Sequence, residues 1–143
     1  MLKFLAGLFL ENQVSTGVYV QKLEGSGAKI VQRCEKAGES PASRKTLAHI
    51  VAIERWGLNR LRVLLNEKPL VMDSSQAYYP PKDSAWNSLL ADFKETRREL
   101  VALTPLLEAA KGKVAHNMMG DLSAKAWLKY LEFHANTESS KIR

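Results

Sequence analysis

Cysteine is almost missing: Cys34 is the only one in 143 residues. A lone thiol excludes an intramolecular disulfide framework and a cysteine-rich zinc site, and a reducing, cytoplasmic setting fits it best. Nothing around Cys34, in the polar stretch after the first helix, suggests an activated thiolate. Runs of like charge are also missing. The 21 lysines and arginines are scattered among 15 aspartates and glutamates, so the net charge of +6 reads as a solvated surface, with no basic stripe or recognition helix for nucleic acid. No apolar run is long enough to cross a membrane. The opening MLKFLAGLFLENQ stops at Glu11 and has no small-residue cleavage pattern, so it reads as the start of a core helix, not a leader. Phosphate loops, H-E-x-x-H and the G-x-S-x-G elbow are absent too.

What is present is helical periodicity, and no segment alternates as a strand. The first helix is expected from Leu2 to Leu23, burying Leu5, Phe9, Val14, Val18 and Leu23. The triplet Gly25 to Gly27 should then break or loosen the chain before a short helical piece, AKIVQRCEKA. A second helix is expected from Ser43, with its hydroxyl as cap, to Leu65. Thr46, His49, Ile50, Ile53, Gly57, Leu61 and Leu64 share one of its faces. Three of the few prolines fall in NEKPLVMDSSQAYYPPKD, which should be a long irregular crossover. A third helix follows from Ser84 to Leu103, with Trp86, Leu89, Leu90, Phe93, Leu100 and Leu103 inward. Thr104 and Pro105 open a short turn, and Gly120 supplies a turn before the last helix. That helix, capped by Ser123, carries Trp127, Leu131, His134, Glu138 and Ile142 on one stripe.

The resulting expectation is an all-α single domain: a four-helix bundle in up-down-down-up order, with the long crossover between helices 2 and 3. Helices 2 and 4 are then antiparallel. His49 stands about 8 Å from the start of one, and His134 about 12 Å from the end of the other. His49, His134 and Glu138 can therefore converge at one end. His116 is expected at the other end, about 16 Å or more away, and is a poor ligand candidate. Each residue also has a plainer role. His49 can be a satisfied cleft histidine, and His134 with Glu138 at i,i+4 can be a simple helix pair, with Lys141 on the glutamate. Trp56, Trp86 and Trp127 read as packing residues, Met118 and Met119 as gap fillers, and Asn59 and Arg60 as structural or solvent-facing. Glu54 points away from His49 and can pair with an arginine.

SRKTLAHIVAIERWGLNRL resembles the second-helix signature of the DinB-like superfamily, and HNMMGDLSAKAWLKYLEFH is similar to that family's turn and histidine-bearing last helix. The likeness spans nearly the whole chain. It implies a metal-dependent four-helix bundle with one histidine on helix 2 and an H-x-x-x-H pair on helix 4. His49 and His134 match two of those positions. The third is Glu138 here, and the glutamine that commonly follows is Lys141. Two imidazoles and a carboxylate suit zinc or iron, and the family also implies nickel. The resemblance further implies a thiol-dependent transferase or isomerase, or a hydrolase, with a low-molecular-weight thiol as a small-molecule partner. Ser40, Ser43, Tyr79 and Trp86 would line the mouth. Tyr78 and Tyr79, with Pro80 and Pro81, read as a packed loop, with a semi-rigid lid as the alternative. A stress-response setting and a homodimer are implied as well. The alternative is a metal-free DinB-like bundle acting as a binding or dimerisation module.

Overall fold

A computed structural model describes residues 14–143. The expected buried positions Leu5 and Phe9, with the rest of the apolar opening, lie outside them. The described chain is predominantly helical: α1 Thr16–Ala37, α2 Pro41–Leu64, α3 Trp86–Leu103 and α4 Ala124–Ser139. A two-stranded sheet, β1 Val114–His116 and β2 Gly120–Leu122, precedes α4. Among the described residues, no helix is long and apolar enough to cross a membrane.

The glycine triplet does not interrupt α1, which runs through Gly25, Ser26 and Gly27. Arg97 of α3 explains why Ser26 and Gly27 are small. Its Nη1 donates to the carbonyl of Leu23 at 2.8 Å and to Oγ of Ser26 at 3.0 Å. A Cβ on Gly27 would stand 3.1 Å from Cγ of Arg97. The helix-propensity cost of glycine, about 1 kcal/mol, is offset by this docking. The buried stripe of α1 is accordingly Tyr19, Leu23, Gly27, Ile30 and Cys34. Val18, expected inside, is 38% exposed. Cys34 does not follow the first helix but lies within it, fully buried in the core despite its polar neighbours, and its thiol is pushed up to about 11 chiefly by that burial.

The start of α2 lies two residues ahead of the expected position. Ser40, not Ser43, supplies the capping hydroxyl, accepting from the amide of Ser43 at 3.1 Å, and Pro41 takes the first turn. The SPAS sequence holds two possible caps, and proline selects the first. α3 opens at Trp86, with Ser84 folded back onto the carbonyl of Pro81. The expectation of no strand is also corrected. Val114 pairs with Leu122 and His116 with Gly120, in strands of three residues, too short to show alternation in sequence. Gly120 has the expected turn conformation, with φ +81°.

The helix pairings follow from side-chain contacts. α1 and α2 each pack against both α3 and α4. Arg55 meets Asp92 and Arg62 meets Glu99, so α2 and α3 run parallel. His49 meets Glu138 and Trp56 meets Trp127, so α2 and α4 run antiparallel. Thr16 bonds Glu108 while Leu23 bonds Arg97, so α1 opposes α3. Two apolar clusters fill the interior, one around Trp56, Leu100, Trp127 and Leu131, the other around Ile30, Leu47, Phe93 and Ile142. The buried pair of Glu54 and Arg97 falls between them, which gives Glu54 the arginine partner expected for it. Ile142 is 1% exposed, so the turn after α4 is held onto the core.

The crossover returns along α2. Lys68 bonds Asn59, Asp73 bonds Arg60, the carbonyl of Tyr78 accepts from Arg55, and the carbonyl of Ser84 accepts from Arg44. A 3-10 turn, Ser75–Tyr78, is capped by Ser74 within it. Arg60 is fully buried and therefore structural. It also donates to the carbonyl of Ala115 and to Oδ1 of Asn117, fastening hairpin and crossover to α2. Met119 packs against the core as expected of a gap filler, whereas Met118 is 64% exposed.

Candidate metal centre

His49 sits on α2 and His134 and Glu138 lie one turn apart on α4, so the antiparallel contact of these helices brings the three together. Nε2 of His134 faces Nε2 of His49 at 3.1 Å. Oε1 of Glu138 is 3.9 Å from Nε2 of His49. One ligand atom from each of the three lies within 4.8 Å of the others, a cluster that could hold a metal ion. Two imidazole nitrogens bound to one zinc at a tetrahedral angle would stand about 3.3 Å apart, given bonds of ~2.0–2.1 Å. The observed spacing needs little adjustment.

Protonation favours the same use. Burial lowers the pKa of His49, with Glu138 opposing and Lys141 assisting. His134 is lowered to about 4, chiefly by burial and then by His49. Both rings are therefore neutral at physiological pH, the form that offers a lone pair to a metal. For Glu138, burial acts to raise the pKa, but the Lys141 hydrogen bond and charge, with both histidines, leave it lowered. It is a carboxylate.

The surroundings of the two histidines differ. Nδ1 of His49 is 2.7 Å from the hydroxyl of Tyr79, the end of the crossover. With the proton on Nδ1, that contact orients the ring and leaves Nε2 free to ligate. His134 has no such support, because its Nδ1 is buried without a hydrogen-bond partner. Its ring lies 5.8 Å from that of Tyr130, whose hydroxyl is raised to about 12 by burial and then by Glu138. Lys141 holds Oε2 of Glu138 at 2.7 Å, leaving Oε1 turned toward His49. The donor set thus fits a divalent ion, with one imidazole and the carboxylate already positioned from outside.

Of the residues expected at the mouth, Tyr79 reaches a ligand. Ser40 is committed to capping, Ser43 is buried, and Trp86 packs beside the Cys34 cluster. His116 is excluded from the site, though not by distance along the axis. It stacks edge-on with Tyr130 at 4.6 Å, and Tyr130 in turn contacts His134 at 5.8 Å, which places it nearer than counting along the axis implies. The hairpin is the reason, since it folds His116 back against α4. Its Nδ1 accepts from the amides of Met118 and Met119, both at 3.2 Å, so it is occupied as a turn cap. Sequence reasoning overlooked Tyr130, although its place one turn before His134 was the available signal.

Comparison with protein-family models, with curated proteins and with solved structures finds no match for this chain.

Proposed function

We propose that this chain is a DinB-like four-helix bundle in up-down-down-up order that binds one divalent metal ion, zinc, nickel or iron, through His49, His134 and Glu138. The observation that carries the reading is the 3.1 Å approach of two imidazole Nε2 atoms beside a carboxylate. In the absence of metal, that approach can be satisfied only by a proton shared between rings that burial keeps neutral.

When bound, the ion would supply Lewis acidity, lowering the pKa of a thiol or a water. The residues do the rest. His49 and His134 each present a lone pair. Glu138 brings a negative charge, offset in part by Lys141, and Tyr79 fixes the His49 ring. A thiol-dependent transfer or isomerisation, or a hydrolysis, suits such a centre, with a low-molecular-weight thiol or another small molecule as the substrate class. A homodimer and a cytoplasmic, stress-related setting belong to the same proposal through the family resemblance. The test is zinc titration of the metal-free protein against a chromophoric chelator. One equivalent should bind with His49 and His134 intact, and none in the His49→Ala or His134→Ala variant.

A second reading has its own support. Lys141 already neutralises Glu138, and His134 lacks an outer partner for Nδ1. A metal-free bundle serving as a binding or dimerisation module would look the same, and Leu70, Val71 and Met72 of the crossover are exposed. Glu138→His separates the readings. It should raise metal affinity sharply if the pocket is functional and leave the protein metal-free if it is not.

A further inference from the structure

The arginines are unevenly partnered. Arg44, Arg55, Arg60, Arg62, Arg97 and Arg98 each face a carboxylate within 4.0 Å. Among the described residues Arg33 and Arg143 have no such carboxylate, and both line one cleft between the C-terminal half of α1 and the turn that ends α4. Lys29 and Lys36 line it as well, and among the described residues no acidic side chain does. On α1 the three cations are spaced i, i+4 and i+7, which sets them on one face. Ile30 and Ile142, each almost fully buried, form an apolar floor.

We propose that this cleft is an anion-binding site for a small phosphate monoester with an apolar body. Guanidinium groups bind phosphate oxygens in a fork, and these two, without a carboxylate among the described residues, suit that geometry. The ammonium groups of Lys29 and Lys36 add charge without fixing orientation. The cleft measures about 810 Å³, the size of a small-molecule site. Its concave form and apolar floor favour a compact ligand over a nucleic-acid backbone, which is better followed by an extended stripe. The site is separate from His49, His134 and Glu138 and does not depend on metal.

The experiment is a titration of the metal-stripped full chain with phenyl phosphate, followed by amide chemical shifts. Inorganic phosphate, phenol and a DNA duplex serve as comparison probes. Phenyl phosphate should bind saturably and move amides in 29–37 and 136–143. Arg33→Gln should weaken it at least about tenfold, while Lys22→Gln, elsewhere on α1, should not. Phenol should not bind, and inorganic phosphate should bind more weakly than its phenyl ester. Non-saturating shifts, or equal losses in Arg33→Gln and Lys22→Gln, would overturn the site. Inorganic phosphate binding as tightly as the ester would overturn the apolar component. Duplex DNA displacing the ester from the same residues would replace a small-ligand site with a polyanion surface.

Discussion

Gly57 of α2 and Leu131 of α4 meet where no side chain fits between them: a Cβ on Gly57 would lie 2.5 Å from Cδ2 of Leu131. This contact sets the distance between the two helices that carry the site. His49 lies two turns before Gly57 on α2, and His134 one turn after Leu131 on α4. The close approach of the backbones is what lets two short imidazole side chains face each other.

Gly57→Ala should therefore be destabilising, although alanine is the better helix former by about 1 kcal/mol. Overpacking a filled core costs about 1–3 kcal/mol, so the net change in chemical denaturation should be a loss. Zinc affinity should fall with it. An unchanged denaturation midpoint would show that Leu131 gives way.

Tyr79→Phe removes the hydroxyl at Nδ1 of His49 and leaves the ring. Loss of such an outer partner weakens metal affinity by about 10–100-fold. Chelator competition should show that loss with little change in thermal stability, because the substitution keeps the ring, and Tyr79 is 36% exposed.

Arg97 is buried against Glu54, with Nε donating to Oε1 at 3.0 Å, and its Nη1 also reaches Leu23 and Ser26. Removing it strands a fully buried carboxylate. Arg97→Met should cost about 3–5 kcal/mol, and Arg97→Met with Glu54→Leu distinctly less. Equal losses would mean that packing, not the unpaired charge, dominates.

His116 is held at about 4 by burial and then by the Arg60 charge. An unfolded histidine titrates near ~6.5, so the unfolded state takes up the proton first. Stability is full above that pH, declines as pH falls toward 4, and levels off below. The loss is on the order of 2 kcal/mol after allowance for solvent screening. His116→Phe should flatten this slope in urea titrations of the metal-free protein. A residual slope should remain, because His134 is held low in the same sense.

The helical class, the crossover and the convergence of His49, His134 and Glu138 are legible in the sequence because each rests on periodicity or spacing. What is not legible depends on long-range partners. The Gly25–Gly27 triplet looks like a break until Arg97 is seen docked across it. Arg60 reads as either structural or solvent-facing until the hairpin and crossover close over it and decide for the first. Cys34 has polar neighbours in sequence but falls on the buried stripe once α1 continues past the glycines. The hairpin that turns His116 toward Tyr130 has too few residues to leave a pattern.

The most direct measurement is the metal content of protein purified without a histidine tag, by elemental mass spectrometry, beside the His134→Ala variant. Metal close to one equivalent, lost in the variant, is the predicted result. No bound metal, even after reconstitution with zinc, nickel and iron, would contradict the proposed centre and leave the facing imidazoles of His49 and His134 as a structural hydrogen bond.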